Sequence, residues 1–309
     1  MNERLPSEVE FIVKPLISAL GFERLVKEKG ESYQVILINR PIILSRVLLQ
    51  IAHFRKLSSK PKIIYDSEAI NALRISGSSG RIKRYLDREC YMAEKADIVW
   101  AVSQKEEQIF RKLLKPELPV KVVSHWVKEI TVKPLQNRKG ILFVGPLYRN
   151  GTENHKAFEL FVKFILPLLI KEDPGLIFHH VGINYLPMSN LTNVRFHGPL
   201  EDPGQMYDTC RLFIAPTLKS SGIPIKLIEA AASGIPVVAT SHLATQLGWQ
   251  HNQHLLVADD PAKFASSCMQ LLKDDDLWLR LRDNAAKKVK ADFSKSTFSE
   301  AVQSSLLKV

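Results

Sequence analysis

Apolar residues in the second half of the chain form short runs separated by longer stretches with helical spacing. The runs predict β-strands at Ile141–Val144, Leu176–Val181, Val194–Phe196, Leu212–Ala215 and Val237–Ala239. Between Ala157 and Ile170 the apolar positions follow helical periodicity instead. Strands that alternate with helices predict right-handed βαβ units and a doubly wound parallel sheet. Ligands bind such sheets at the carboxyl ends of the strands, where this pattern places Gly145, Gly182 and Gly198.

The first half of the chain repeats this alternation with fewer elements. The predicted strands are Val35–Asn39, Ile63–Tyr65, Ile98–Val102 and Val120–Val123, and the predicted helices cover about 42–55 and 82–95. Lys128–Lys139, rich in charge, proline and asparagine, predicts a linker. The predicted domains are therefore residues 1–134 and 135–309. From Asp274 onward the pattern predicts two or three amphipathic helices.

Residues 220–240 are the most informative stretch, and they are predicted to form a loop, a helix, a turn and a buried strand. Pro224 suits the first helical position, where its missing N–H would be unpaired anyway. Gly234 is predicted to end the helix, and Pro236 precedes a valine-rich strand.

Two features of this stretch indicate a binding site rather than packing alone. The loop offers backbone N–H groups at the positive end of a helix, which is a ready anion site. Lys226 and Glu229 lie three residues apart, so they share one face of the helix. N–H groups and an ammonium suit the phosphates of a nucleotide diphosphate, and a carboxylate suits the ribose hydroxyls. The alternative is an ordinary amphipathic helix with an exposed salt pair.

Composition narrows the class of protein. The 309 residues, 45% of them hydrophobic, allow two domains with separate cores. No apolar run reaches the length of a membrane span, and residues 1–10 carry acidic charges, so we expect neither a signal peptide nor an integral membrane protein. Three scattered cysteines favour a reducing cytoplasm over a zinc or disulfide framework. The net charge of +11 favours anionic partners, but nucleic-acid binding would lack an aromatic platform.

Other candidate chemistry has less support from the residues. Asp274–Asp276 are predicted to begin a helix rather than to hold a metal, and we expect no metal site. Strand alternation buries one of His179 and His180 and turns the other to the opposite face, which favours core or supporting roles over catalysis. Ser103, Ser220 and Ser221 lack the G-x-S-x-G motif of hydrolases.

The stretch Arg40–Lys62 contains six lysines and arginines and no acidic residue, interleaved with aliphatic residues. A basic amphipathic helix of this kind can lie on an anionic membrane surface. It can equally cover a sheet, with its basic side chains turned outward.

Taken together, these motifs resemble the retaining, nucleotide-sugar-dependent glycosyltransferases of group 1, which have the GT-B fold. The motifs of the second half are Phe143-Val144-Gly145, an Asn154-led helix, His180-Val181-Gly182, Val194–Gly198 and the block Gly222–Thr240. In the first half, Tyr65–Ala69 with Arg74, Arg88-Glu89 and Val102–Glu106 look like the acceptor-side half of the family.

The resemblance implies an α/β protein with two Rossmann-like, doubly wound parallel-sheet domains facing a cleft. The second domain would bind the donor through Gly145, Ser220, Ser221, Gly222, Ile223, Pro224 and Glu229, with Glu229 on the ribose. Lys226 and Arg149 would stabilise the leaving diphosphate as catalytic residues. Arg149 and Lys156 flank the Gly145 turn, and the alternative for both is a solvated basic loop.

The implied activity is a metal-independent hexosyl transfer with retained configuration, in polysaccharide biosynthesis, without a cofactor. The implied partners are a nucleotide-sugar donor and a glycan or lipid-linked acceptor, with no nucleic acid. The expected location is the cytoplasm, with peripheral contact at the inner membrane surface.

Three features of the sequence depart from the family pattern. Ser221 stands where many relatives carry a glutamate that contacts the donor sugar, and Asn71 stands near where some carry a histidine. The first predicted strand begins only near Val35, so the acceptor-side domain is expected to be abridged. The alternative function is therefore a degenerate, non-catalytic relative that binds nucleotide or glycan, or that completes a partner glycosyltransferase. A nucleotide-sugar epimerase of the same fold is a third, weaker possibility.

Overall fold

The computed structural model describes residue 24 and residues 27–74, 78–128, 134–148, 151–185 and 191–307. The chain divides into two compact units, the first ending at Val122 and the second beginning at Val123. The proposed linker therefore falls in the second unit by this division, and the boundary at residue 134 stays a prediction.

The first unit contains a four-stranded parallel sheet in the order β1-β2-β3-β4. Its strands are β1 (Val35–Asn39), β2 (Lys62–Asp66), β3 (Ile98–Ala101) and β4 (Val120–Val122). Its α-helices are α1 (Pro41–Phe54), α2 (Ser79–Ala93) and α3 (Gln104–Leu113), with 3₁₀ turns at Gly30–Ser32 and Asn71–Arg74. All four strands lie within a residue or so of their predicted positions.

Helix α1 covers the sheet with one face and exposes the other. Leu44, Val47, Ile51 and Phe54 are buried in the core of the first unit, together with residues of β1, β2 and α3. The interpretation of α1 as a helix that covers the sheet is therefore confirmed for this face. Its outward face is a separate surface, which carries both basic and aliphatic side chains.

The second unit is built on a six-stranded parallel sheet in the order β10-β9-β8-β5-β6-β7. The strands are β5 (Ile141–Val144), β6 (Phe178–Val181), β7 (Val194–Phe196), β8 (Leu212–Ala215), β9 (Val237–Ala239) and β10 (Leu256–Val257). The two-residue strand β10 is the one strand of this sheet that the hydrophobic pattern did not predict, because it is too short to show alternation. Since β5 lies between β6 and β8, the strand order reverses beside β5, and α/β sheets bind ligands at such switch points.

Helices pack on both faces of this sheet. They are α4 (Glu153–Leu160), continued through a π-helical turn at Phe161–Ile165 into α5 (Leu166–Glu172), then α6 (Gly204–Thr209), α7 (Ile225–Ala232), α8 (Ser241–Leu247), α9 (Pro261–Lys273), α10 (Asp275–Phe293) and α11 (Lys295–Leu307). Ile141 and Phe143 of β5 enter one hydrophobic core, whereas Leu142 between them enters a second core. Neighbouring residues of a strand point to opposite faces, so the sheet is covered on both sides, and the predicted doubly wound architecture is confirmed.

Two details of the predicted helix boundaries can be compared with the structure. Asp274 caps α10, because its side chain accepts a hydrogen bond of 2.8 Å from the Leu277 N–H, so the interpretation as a helix start is confirmed. Pro224 is not the first helical residue. Its ψ of 79° lies outside the helical region, and α7 begins one residue later with Pro224 as the N-cap. Among the described helices, none is both long enough and apolar enough to cross a membrane.

The cap at α10 predicts a measurable difference between two aspartates of the same turn. Asp274→Ala is expected to lower the free energy of unfolding by about 1 kcal/mol, because it leaves the Leu277 N–H without its acceptor. Asp276→Ala makes the same change of charge at an exposed position and is the matched control. Urea unfolding followed by circular dichroism measures both, and equal losses would contradict the capping role.

Candidate active site

The carboxyl ends of β5 and β6 approach closely where Gly145 follows β5 and Gly182 follows β6. Gly145 donates a hydrogen bond of 2.8 Å to the Val181 carbonyl. Gly182 has a φ of +140°, and a Cβ placed there would lie 2.5 Å from the Gly145 carbonyl oxygen. A side chain at Gly182 would therefore force the two backbones apart. The predicted convergence of these two glycines at one edge of the sheet is confirmed.

The ammonium of Lys226 lies against the same turn. A Cβ added to Gly145 would lie 2.6 Å from Lys226 Nζ and 3.0 Å from the side-chain nitrogen of Asn154. Asn154 in turn donates a hydrogen bond of 3.1 Å to the Pro146 carbonyl and holds the turn from the other direction. Because Gly145 has no side chain, the Lys226 ammonium can lie against this turn at the edge of the sheet.

Lys226 and Glu229 are both half-buried on α7. Burial lowers the pKa of Lys226 to about 8, and the nearby Glu229 carboxylate opposes this shift. Burial raises the pKa of Glu229, and Lys226 opposes that shift in turn. Within the part of the chain that the structure describes, neither side chain forms an ion pair of 4.0 Å or less. The alternative of an exposed salt pair does not fit this geometry, because the two groups are neither exposed nor in contact.

The loop before α7 differs from the prediction at Ser220. The Ser220 N–H donates a hydrogen bond of 2.9 Å to His242 Nε2, and its hydroxyl donates one of 3.1 Å to Gln246 Oε1. The Gln246 side chain also donates to the Ser220 carbonyl at 3.1 Å. The Ser220 amide is therefore not free, because α8 supplies an acceptor for it, and a role of Ser220 in donor binding stays a prediction. No local sequence pattern predicts these contacts, because they join residues that are 22 and 26 positions apart in the chain.

The remaining loop residues keep their predicted place before α7. Ser221 is buried, and Gly222 has a φ of +79°, a conformation that favours glycine. Among the described residues, the amides of Ile223 and Lys226 donate to no acceptor, whereas the Leu227 and Ile228 amides both donate to the Pro224 carbonyl. Unpaired amides at the start of a helix are the usual donors to a bound anion.

His180 is a residue of this site whose contact with Gly145 the sequence did not predict. It is fully buried, and its Nε2–H donates a hydrogen bond of 2.8 Å to the Gly145 carbonyl. Burial lowers the pKa of His180, and the Lys226 ammonium lowers it further, although the bond to Gly145 opposes both. The ring is therefore neutral, and it fixes the orientation of the Gly145 peptide. This agrees with the supporting role that strand alternation favoured.

His179 points to the opposite face of the sheet, as the alternation predicted. Its Nδ1 lies 2.9 Å from His197 Nε2, and the two rings are stacked. Burial, with the neighbouring His197 and Arg195, lowers the pKa of His179 to about 4. No group of three or more histidine, cysteine or carboxylate side chains suited to a metal occurs within the described residues.

Tyr207 of α6 lies near Glu229. Its hydroxyl is buried and has no hydrogen-bond partner among the described residues. Burial raises the pKa of Tyr207, and the negative charge of Glu229 raises it further. A protonated phenol beside a half-buried carboxylate is a polar pair that a ligand hydroxyl can join.

Of the two basic residues predicted beside the Gly145 turn, the structure describes Lys156 but not Arg149. Arg149 lies outside the described residues, so its catalytic role stays a prediction. Lys156 lies in α4, where its exposed ammonium pairs with Glu153 at 3.0 Å. This contact agrees with the alternative of a solvated basic residue.

A second polar cluster lies at the carboxyl end of the sheet in the first unit. Asn39, the last residue of β1, is in register with Asp66 on β2 and donates hydrogen bonds to Asp66 at 3.1 Å and to Glu68 at 3.3 Å. Burial raises the pKa of Asp66 to about 6, although the Glu68 N–H stabilises its charge. Asn71 is held by Glu89 and by its own side-chain bond to the Ala69 carbonyl. These residues belong to the predicted acceptor-side segment Tyr65–Ala69 and its surroundings.

The lowered pKa of Lys226 predicts how stability depends on pH. The folded protein releases this proton near pH 8, whereas an unfolded chain holds it to about pH 10.4. The unfolded state therefore binds more protons in this window, and the free energy of unfolding rises with pH. We expect the difference between wild type and Lys226→Met to grow in favour of wild type from pH 8 to pH 10, measured by urea unfolding. A constant difference would show that Lys226 is not desolvated.

Comparison with known proteins agrees with this geometry. Residues 138–274 match the family model of the group 1 glycosyl transferases. An uncharacterized 44.6 kDa protein in the cps region of Klebsiella pneumoniae is 25% identical over 172 residues. That match covers 52% of this chain and 44% of the relative, so the chain matches less than half of the relative's length.

Solved structures of similar fold cover nearly the whole chain. HepE of Anabaena, in a complex with UDP and glucose, has a TM-score of 0.74 at 15% identity, over 97% of this chain and 84% of its own. TarM has a TM-score of 0.73 at 16% identity, over 93% of this chain and 57% of its own. Sucrose-phosphate synthase of Thermosynechococcus elongatus has a TM-score of 0.72 at 17% identity, over 94% and 76%. The chain therefore has the GT-B fold, and its residues 138–274 match the family model of the group 1 glycosyl transferases.

Proposed function

We propose that this protein transfers a hexosyl group from a nucleotide diphosphate donor to a saccharide or lipid-linked acceptor, with retention of configuration and without a metal. One observation carries the proposal. The half-buried ammonium of Lys226 lies against the Gly145 turn at the switch point of the sheet, and no carboxylate of the described residues pairs with it within 4.0 Å. A desolvated cation without a counter-ion is costly, and a bound diphosphate would supply the missing negative charge.

The phosphate site would combine this cation with backbone amides. The amides of Ile223 and Lys226 lie at the first turn of α7, where the helix dipole adds positive potential. Ser221, Gly222 and Pro224 shape the loop that presents these amides. The sequence adds Arg149 as a second cation. Cations and amides together balance a diphosphate without a divalent metal.

The nucleoside would be held by Glu229 and Tyr207. Glu229 lies one turn further along α7 than Lys226, which suits a ribose next to the phosphates. A carboxylate accepts hydrogen bonds from the ribose hydroxyls, and the unpaired Tyr207 hydroxyl can join the same network.

The chemistry follows from the charge that develops on the leaving group. As the bond between the anomeric carbon and the diphosphate oxygen breaks, negative charge grows on the diphosphate, which Lys226 would stabilise. The resemblance implies the same role for Arg149. The acceptor oxygen attacks the same face of the sugar, and its proton passes to the leaving phosphate oxygen. This route needs no covalent nucleophile from the protein, and it agrees with the resemblance to retaining transferases.

The relatives support the donor class and the biological setting. The HepE structure contains UDP and glucose, which supports a nucleoside diphosphate at the corresponding site here. The similar protein of the cps region supports a role in polysaccharide biosynthesis. We propose a cytoplasmic location, with the acceptor either free or anchored at the inner membrane.

A second candidate function is a non-catalytic relative that binds nucleotide or glycan, or that completes a partner transferase. One observation favours it. The Asn71 side chain donates to the Ala69 carbonyl and cannot exchange a proton with a substrate, unlike the histidine that some members of the family carry nearby.

We expect a nucleoside diphosphate such as UDP to bind without divalent metal. Ligand at 100 times its dissociation constant should add about 2.7 kcal/mol to the free energy of unfolding. A panel of nucleoside diphosphates and their sugars, titrated by thermal shift with and without EDTA, measures this. Loss of the shift in EDTA would overturn the metal-free site, and no shift with any nucleotide would overturn the proposal.

Two substitutions on α7 are expected to separate binding from catalysis. Glu229→Ala should weaken nucleotide binding by about 1.5–3 kcal/mol, because it removes charge-assisted hydrogen bonds to the ribose. Lys226→Ala should lower kcat more than affinity, because the diphosphate charge grows in the transition state. Lys263→Ala removes an exposed cation from α9 and is the control. Donor hydrolysis and transfer to acceptor extracts measure kcat, and titration calorimetry measures affinity.

The same assays distinguish the two candidate functions. Turnover by the wild type that increases when acceptor is added supports the transferase. Tight donor binding without turnover, with every acceptor extract and with neighbouring gene products added, supports the non-catalytic relative. Equal loss of kcat and affinity in Lys226→Ala would make this lysine a binding residue only.

A further inference from the structure

Arg138 is a buried cation that the proposed mechanism does not use. It is 3% exposed, and burial lowers its pKa, although the negative charge of Asp208 opposes this shift. A guanidinium stays protonated even so, and its burial costs free energy unless polar groups of the protein surround it. The contacts of Arg138 show which groups offset that cost.

Arg138 supplies hydrogen-bond donors to the last turn of α6. Its guanidinium donates to the Tyr207 carbonyl at 2.6 Å and to the Cys210 carbonyl at 3.3 Å. The backbone amide of Lys139 donates to the Thr209 carbonyl at 2.9 Å. Carbonyls at the end of a helix lack partners within the helix and carry partial negative charge, so a cation with several donors stabilises this end.

Helix α6 depends on such contacts because it is short. Its six residues make fewer than two turns, and its N-cap, Pro203, forms no side-chain hydrogen bond. Helices of this length are unstable in water when isolated, so tertiary contacts determine whether they form and where they lie. The bonds from Arg138 are therefore part of what fixes the position of α6.

Trp278 of α10 restricts the Arg138 guanidinium to one place. Its indole ring is fully buried, and the centre of the ring lies 5.3 Å from the guanidinium carbon. The indole N–H donates a hydrogen bond of 2.6 Å to the Arg211 carbonyl, which fixes the orientation of the ring. Arg138 also donates to the Pro134 carbonyl at 3.0 Å. The end of α6 is therefore held by a side chain that has little freedom to move.

The position of α6 decides where the Tyr207 hydroxyl lies. The Tyr207 side chain is buried beside Phe213, with the ring centres 6.1 Å apart. Its hydroxyl has no hydrogen-bond partner among the described residues, and the nearby Glu229 carboxylate contributes to its raised pKa. Neighbouring residues of a helix are about 100° apart around the axis. A modest rotation of α6 would therefore turn the hydroxyl away from Glu229.

We propose that Arg138 is a positioning residue of the nucleotide site, which keeps the Tyr207 hydroxyl beside Glu229 by binding the last turn of α6. Arg138 itself would not contact the ligand, because it donates to backbone carbonyls of α6 and of Pro134. It acts on the nucleoside through Tyr207. The inference rests on the proposed function, in which Tyr207 and Glu229 hold the ribose.

A double-mutant cycle on the affinity for UDP, measured by titration calorimetry, tests this role. Tyr207→Phe removes only the hydroxyl and is expected to raise the Kd about fivefold, the effect of one hydrogen bond. Arg138→Met removes the donors from a side chain of similar length and should raise the Kd by a similar factor. In the Tyr207→Phe background, Arg138→Met should raise it no further, because its effect passes through the hydroxyl. Losses that multiply in the double variant would overturn the proposal.

Arg282→Met is the matched control. The Arg282 guanidinium also lies over the Trp278 ring, at 5.5 Å, but its hydrogen bond is to Asp283 at 2.7 Å. We expect this variant to bind UDP as wild type does, and equal losses in Arg138→Met and Arg282→Met would overturn the proposal. Arg138→Lys keeps a cation at the end of α6 and should restore part of the affinity that Arg138→Met loses. It also keeps the test available if Arg138→Met does not fold.

Hydrogen exchange without nucleotide separates this inference from the proposed function. The amides of α6 should exchange faster in Arg138→Met than in wild type, and at the wild-type rate in Arg282→Met. Unchanged exchange of these amides in Arg138→Met, or a wild-type Kd for UDP in that variant, would overturn the positioning role alone. A wild type that binds no nucleoside diphosphate would instead overturn the proposed function, and with it any role of Arg138 in binding.

Discussion

The candidate site depends on one steric constraint, which is the contact between the backbones of Gly145 and Gly182. A Cβ on Gly182 would lie 2.5 Å from the Gly145 carbonyl oxygen, and a Cβ on Gly145 would lie 2.6 Å from Lys226 Nζ. Because both positions lack a side chain, two strand ends and a lysine ammonium share one small volume at the switch point of the sheet. A side chain at Gly145 would displace the Lys226 ammonium, and a side chain at Gly182 would displace the Gly145 peptide.

Burial then determines what this edge can do. His180, neutral and fully buried, anchors the Gly145 peptide, and Lys226 is half-buried with a pKa of about 8. A desolvated cation with few protein partners is a poor contributor to stability but a strong attraction for an anion. The site therefore lowers the stability of the fold. The two hydrophobic cores on either side of the sheet offset this loss and keep the site residues in position.

The first unit shows a different balance between packing and exposure. Helix α1 contributes Leu44, Val47, Ile51 and Phe54 to a core, and these contacts alone account for its position on the sheet. Leu49 and Ile42 contribute nothing to that core, so packing does not explain why they are aliphatic.

The sequence by itself determined nine of the ten strands in the described sheets and their parallel arrangement. It also determined that Gly145 and Gly182 follow strand ends and that Lys226 and Glu229 share a helix, because hydrophobic periodicity and glycine placement are local properties of a chain. It determined that one of two adjacent histidines is buried, since strand geometry alternates. Only the tertiary structure decided that His180 donates a hydrogen bond to the Gly145 carbonyl and that Ser220 is hydrogen-bonded to His242 and Gln246, because these bonds join separate segments of the chain. Tertiary structure also decided that Lys226 and Glu229 are half-buried and apart rather than paired in water, because burial depends on what packs over α7, and no local pattern records that.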